Sequence, residues 1–267
     1  MSLVNDAYRS VLTWSNPAVH SLEEQARIPM FSKTPLELGL SQDGGRFIQT
    51  LRVDPCYRIQ FPAVFSGTKD PFTIRNVAKA IAAFERTIIS IGAPYDRYRY
   101  QGDESALYDS AQRGELLFFT DEGGAGCFRC HSGIDFADDS FHNTGLYNLP
   151  GLVSYPPESP GIFENTRRMA DVGRFKTPTL RNIALTAPYM HDGSAGTLEA
   201  VLDHYAAGGR TGNPHKDQRL RPRVLTDQNR KDLIAFLTSL TDDELIHDPR
   251  FADPWPGYKS SAKRSGR

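Results

Sequence analysis

Residues 127–131 read Cys127-Phe128-Arg129-Cys130-His131, and few five-residue runs restrict a chain more. C-x-x-C-H is the attachment signature of c-type haem. The spacing lets two cysteine sulfurs anchor the macrocycle while the next imidazole lies beneath the iron as proximal ligand. Neutral imidazole is a good ligand for iron. A redox dithiol of the thioredoxin kind sits instead between a strand and a helix. Here the motif follows the turn Gly123-Gly124-Ala125-Gly126 and a short helical run. Covalent haem c is therefore the expected cofactor, and the rest of the chain has to supply its pocket.

Bulk properties narrow the setting. The net charge of −1 gives no argument for nucleic acid or an anionic membrane as partner. No apolar run reaches spanning length, so no membrane span is expected. With 39% hydrophobic residues, 18 Pro and 22 Gly, the chain reads as loop-rich and soluble. Two of its three cysteines belong to the haem motif, and Cys56 is left without an internal disulfide partner. The start, Met1-Ser2-Leu3-Val4-Asn5-Asp6, has neither the basic segment nor the apolar core of a signal peptide. Haem of this type is attached outside the cytoplasmic membrane. The expected location is accordingly the periplasm, and the chain reads as a fragment or as the product of a misplaced gene start.

Periodicity places the helices. Ser21 followed by Glu24 is a capping box, so a helix starts there, with Pro29 expected to limit it. Residues 41–66 read as short helices with turns. The clearest helix is 73–91, where Ile74, Val77, Ala78, Ile81, Phe84, Ile88 and Ile89 recur every three to four residues. Tyr95, Tyr98 and Tyr100 follow in what reads as a polar link and a candidate boundary. A second helix, 105–119, delivers Phe118-Phe119 just ahead of the haem motif, where apolar side chains keep water off the iron. Residues 132–170 form a long irregular loop, with Pro150, Gly151, Pro156 and Pro157 among its breakers, expected to wrap the haem. Thr197 opens a helix stopped by Gly208-Gly209. Thr226 caps the last strong helix, 226–240. The tail, 251–267, is expected to be disordered.

Several polar side chains are candidates for the haem edge. Arg174, Lys176 and Arg181 suit charge-assisted hydrogen bonds to haem propionates, with solvated surface charge as the alternative. His142 is either a propionate contact or a plain loop histidine. Met190 competes as an axial ligand, since Met is a common partner of His in electron-transfer cytochromes.

Taken together and in order, the following segments resemble the bacterial di-haem cytochrome c peroxidase family, and more closely its MauG-like branch. They are Trp14, Ser21-Leu22-Glu23-Glu24-Gln25, Pro35-Leu36-Glu37-Leu38-Gly39, Cys127 to His131, Phe175-Lys176-Thr177-Pro178-Thr179-Leu180-Arg181-Asn182, Ala187-Pro188-Tyr189-Met190-His191-Asp192-Gly193 and His204-Tyr205. The resemblance spans about residues 8–242. It implies a mostly α fold: a cytochrome c-like helical haem domain with long loops at 101–250, beside the remnant of a second helical cytochrome domain at 1–100. It implies an oxidoreductase of the cytochrome c peroxidase type. In that family one haem reacts with hydrogen peroxide and the other relays electrons from a donor protein, either a small cytochrome or cupredoxin or a protein substrate.

Only the relay haem has its motif here, so the resemblance leaves a mono-haem electron carrier and a truncated inactive fragment open as alternatives. It makes His131 the proximal ligand and Tyr205 the distal one, with Met190 as rival. It puts the backbone carbonyls of Thr186 and Pro188 on a possible calcium ion, a cation that such oxygens suit. Trp14 becomes the aromatic residue between the haems. Gln25 and Glu37 become lining residues of the peroxide pocket, where a carboxylate can shuttle a proton.

Overall fold

The structure is a computed structural model, and it describes residues 1–33, 36–41, 44–147, 159–210 and 212–254. The expectations for Pro35, for Pro150, Gly151, Pro156 and Pro157, and for the tail from residue 255 onward lie outside the described residues. Ten α-helices order the described chain. They are α1 (Leu22–Phe31), α2 (Gly45–Val53), α3 (Tyr57–Val64), α4 (Ile74–Glu85), α5 (Pro94–Tyr100), α6 (Asp109–Phe119), α7 (Phe163–Thr166), α8 (Leu198–Ala206), α9 (Asp227–Thr238) and α10 (Asp243–His247). Two short strands, β1 (Phe141–His142) and β2 (Phe175–Lys176), pair antiparallel, with Phe141 opposite Lys176. The mostly α architecture is the one expected.

The helix starts follow side-chain capping. Ser21, Thr73, Thr197 and Thr226 each accept a hydrogen bond from a backbone N–H of the first turn. In α9 the Asn229 side chain returns a bond to the Thr226 backbone, closing a capping box. Gly208 and Gly209, at φ +73° and +74°, turn the chain out of α8.

Three details differ from expectation. Pro29 sits inside α1, which runs on to Phe31; near a helix end, few turns remain for the ring to disturb. The helix expected over 73–91 stops at Glu85. Beyond it the backbone pairs with the N-terminal segment instead: Asn5 N–H donates to Ile88 O, and Ser90 N–H donates to Asn5 Oδ1. The supposed polar link at Tyr95–Tyr100 is helix α5, started by Pro94 at its first turn, and Tyr95 is buried.

Among the described residues, buried apolar side chains fall into three clusters. The largest gathers Tyr95, Phe118, Phe136, Leu233, Phe236 and Leu240 among others. Its frame is the crossing of α6 and α9. At the crossing a Cβ on Gly114 would lie 1.9 Å from the Asp232 carbonyl oxygen, so only glycine lets the two backbones approach this closely. Arg113 fastens the same crossing with a bidentate pair to Asp232 at 2.8 and 2.9 Å. The second cluster, around Met30, Ile48, Phe61 and Phe72, belongs to the first half of the chain. The third joins Leu12, Val19, Leu22 and Ala82.

Candidate functional site

The motif lies on a single 3-10 turn, Cys127–Arg129, entered through Gly126 at φ +62°. The Cys130 and His131 amides both donate back to the Cys127 carbonyl, which presents the two sulfurs and the imidazole together. The His131 Nδ1 lies 2.9 Å from the Phe136 carbonyl oxygen. A carbonyl only accepts, so the ring proton sits on Nδ1 and the Nε2 lone pair is left for a metal. Burial pushes the His131 pKa down, which keeps the ring in the neutral, ligating form. Burial likewise pushes the Cys127 thiol up to about 12, so it is a neutral thiol in its crevice.

These groups open into a cavity of about 540 Å³. Phe118, Leu198, Leu202, Leu233 and Leu237 give it an apolar floor. Met190 and Tyr205 both line it, so the two rival axial ligands share one pocket with His131. At the edge stand Arg129, Arg219, Arg221 and Arg223. Arg223 also braces the motif: it donates to the Asp121 and Gly124 carbonyls and pairs with the Asp121 carboxylate, which Arg129 holds as well. Apolar walls, two thiols, one neutral imidazole and a cationic rim fit a flat amphiphile carrying an iron and two carboxylates. The residues present therefore fit haem c.

The small sheet delivers two more polar groups to this cavity, His142 from β1 and Lys176 from β2. His142 is held at both nitrogens, Nδ1 to Asp217 Oδ2 at 2.6 Å and Nε2 to Asp138 Oδ2 at 2.8 Å. Burial opposes its charge, yet the bonds to Asp138, then to Cys130 while that is a free thiol, and then to Asp217 push its pKa up to about 10. Asp138 feels burial upward, but its hydrogen bond to His142 prevails and draws it down to about 2. His142 is thus a clamped imidazolium rather than a plain loop histidine. Lys176 is buried, with Nζ 3.7 Å from Asp139, and burial lowers its pKa.

The other expected site residues separate. Trp14 borders the cavity and its carbonyl accepts from the Lys176 amide. Thr186 and Pro188 also border it, on an exposed stretch. Gln25, half-buried on α1, and Glu37, exposed after α1, do not line it. Arg181 is a correction. Its guanidinium is bidentate to Asp96 at 2.8 and 2.9 Å and its Nε donates to Ile134 O, with the side chain 0% exposed and outside the cavity lining. It welds α5 to the haem loop and does not reach the haem edge. Arg174 pairs with Asp171 and is likewise absent from this lining. The rim arginines were the cations to look for. Their signal was the alternation Arg219-Leu220-Arg221-Pro222-Arg223, three like charges at every second residue.

Comparisons with known proteins agree with this geometry. The family described as Di-haem cytochrome c peroxidase matches residues 1–105. Methylamine utilization protein MauG of Methylorubrum extorquens is 40% identical over 240 residues, covering 89% of this chain and 63% of the relative. Cytochrome-c peroxidase IdrP1 of Denitromonas iodatirespirans is 36% identical over 275 residues, covering 92% of this chain and 69% of the relative. The chain therefore spans about two thirds of the length of these curated relatives. Among solved structures, a MauG-like protein associated with microbial copper homeostasis superposes with a TM-score of 0.87 at 40% identity, over 95% of this chain and 78% of that one. The diheme peroxidase BthA of Burkholderia thailandensis, at 21% identity and a TM-score of 0.66, shares the fold.

Proposed function

The chain belongs to the di-haem cytochrome c peroxidase and MauG family, and from that premise we propose that it is a c-type haem oxidoreductase relaying electrons toward peroxide. The observation that carries this is the cavity into which Cys127, Cys130 and His131 open, apolar within and ringed by arginines. Haem c, when bound, supplies reversible one-electron chemistry at its iron.

The chain's own residues have distinct parts in this reading. Cys127 and Cys130 hold the macrocycle through thioethers. His131 would hold the iron through Nε2, and Tyr205 from α8 would be the second protein ligand, with Met190 its rival in the same pocket. A phenolate oxygen favours ferric iron and lowers the potential relative to a thioether. Phe118, Leu198 and Leu202 exclude water, while Arg219 and Arg221 orient carboxylates at the rim. Trp14, beside the cavity, would be the aromatic residue between this haem and the peroxide-reacting centre. Gln25 and Glu37 serve that second centre, Glu37 as the group that holds and returns a proton.

The 267 residues carry one C-x-x-C-H, at 127–131, so the peroxide-reacting haem is not attached through a second such motif among them. The proposed organisation is a haem unit at 101–250 seated on the 1–100 segment. Calcium held by the Thr186 and Pro188 carbonyls belongs to the same reading, with further oxygens drawn from elsewhere, since Ca²⁺ takes six to eight. The periplasm is the proposed location, and a small cytochrome, a cupredoxin or an oxidisable protein residue is the proposed donor.

The test is expression in a host that matures c-type cytochromes. Covalent haem should survive acid–organic extraction, and replacing Cys127 or Cys130 with Ala should weaken its retention. Peroxide-driven oxidation of a reduced donor supports the oxidoreductase reading in full. Rapid electron exchange without peroxide turnover supports the second reading, a mono-haem carrier. Colourless protein from a competent host would refute both.

A further inference from the structure

The loop after the haem motif has an unusual backbone. Phe136 adopts φ +51°, a left-handed conformation that a bulky side chain seldom accepts. Such an outlier persists where its surroundings over-determine it, and here they do. The Phe136 ring is 1% exposed and meets the rings of Tyr95, Phe118 and Phe236 at centroid distances of 5.4, 5.9 and 6.0 Å. The Arg181 guanidinium lies over the same ring at 5.9 Å.

Three consecutive carbonyls of this loop are each taken by a different donor. Arg181 Nε bonds Ile134 O at 2.9 Å, Thr179 Oγ1 bonds Asp135 O at 2.7 Å, and His131 Nδ1 bonds Phe136 O at 2.9 Å. The first donor is anchored in turn by the buried bidentate pair with Asp96. A loop fixed at two successive peptides has little freedom to turn the third.

We propose that Phe136 and Arg181 are positioning residues for the axial imidazole: ring burial and the Arg181 bond hold Phe136 left-handed, which aims its carbonyl at His131 Nδ1 and sets how strongly Nε2 donates to the iron. This rests on the functional reading above, in that the imidazole is taken to be the haem ligand. The chemistry is that of an outer partner tuning a ligand. A carbonyl accepting from Nδ1 makes the ring a stronger donor, and a stronger donor stabilises the more oxidised iron. Losing that bond raises the reduction potential. Arg181 acts without touching the cofactor, through a peptide two residues upstream of the acceptor.

Two variants separate positioning from packing. Phe136→Ala and Phe236→Ala each remove one ring from the same aromatic cluster, but only residue 136 carries the carbonyl. With covalent haem verified by mass, the midpoint potential and the exchange rate of the His131 Nδ1 proton are measured for each, by redox titration and NMR. Phe136→Ala should raise the potential and speed exchange by about two- to tenfold, as loss of one hydrogen bond implies. Phe236→Ala, outside the cavity lining, should leave the exchange rate unchanged. Arg181→Lys keeps a charge beside Asp96 but lacks Nε, and should move both readouts the same way by less. Equal responses to the two ring deletions, or none to Phe136→Ala, would overturn the proposal.

Should Phe136→Ala not fold, the unaltered protein still decides the matter. A protected Nδ1 proton supports the proposal, and one exchanging like a solvent-exposed imidazole overturns it. A chain lacking covalent haem overturns the functional reading as well; a haem-bearing chain whose potential ignores residue 136 overturns only this inference.

Discussion

On α2 and α3, Val53, Ile59 and Val64 are 75%, 70% and 71% exposed, whereas on α6 and α9 Phe118, Leu233 and Phe236 are 1%, 1% and 0% exposed. Both regions are helical and both are rich in apolar residues. They differ in how the helices meet. Helices α6 and α9 come from distant parts of the chain and cross at Gly114, so each covers the other and together they wall the haem cavity. Helices α2 and α3 are sequence neighbours that close over one aromatic stack, Phe61 on Phe72 at 5.3 Å, and leave their outer faces in water. Apolar content thus does not locate the core. Burial against a non-local partner does, because the hydrophobic gain scales with area removed from water.

That contrast can be broken by mutation. Phe236→Ala should cost about 3–5 kcal/mol, because it empties a site with no exposure in the largest cluster. Ile59→Ala on α3 should stay within about 0.5 kcal/mol. Chemical denaturation of the haem-bearing protein reads both, and similar costs would mean that the halves are not packed differently. Next in size is Gly114→Ala, which should cost about 1–3 kcal/mol by forcing the crossing helices apart. Gly67→Ala, where a Cβ would meet nothing within 4 Å, should be nearly silent in the same thermal melts.

The charged sheet edge sharpens the comparison through pH. With Cys130 in a thioether, the Asp138 and Asp217 bonds still raise the His142 pKa in the fold, so its stabilisation is complete below the unfolded value of about 6.5 and is lost as pH rises through the raised folded value. Urea midpoints should therefore fall between those values. In His142→Gln that part of the slope should vanish, with a loss of about 1–3 kcal/mol at neutral pH. An unchanged alkaline slope would argue against the clamp. The smallest effect expected is Thr226→Ala, about 1 kcal/mol for the lost cap of α9, seen as a lower melting temperature.

Much of this was legible in the residues. The capped starts of α1, α4, α8 and α9 depend on contacts three positions apart, so sequence displays them directly. The haem motif is just as local. What stayed hidden depends on partners far along the chain. Arg181 reads as a spare cation until Asp96, 85 residues away, is seen to take both its amino groups. Tyr95 reads as part of a polar link because Asp96, Arg97 and Arg99 surround it in sequence, and only Phe136 and Phe236 make it a core residue. The end of α4 was misjudged for the same reason. The isoleucines at 88 and 89 keep helical spacing, but Asn5 bonds the backbone of Ile88 and Ser90 instead.

Asn5 bridges two distant parts of the chain. Its side chain donates to Ser90 O and to Asp135 Oδ1 and accepts from the Ser90 amide, so one residue near the chain start touches both the exit of α4 and the loop behind the proximal histidine. Arg9 adds an ion pair to Asp135. The segment from Asn5 to Arg9 therefore works as a rivet through both halves of the molecule. Replacing Asn5 with Ala should be felt at the iron, and a calorimeter should record one melting event in the unaltered protein where the division of cores alone would suggest two.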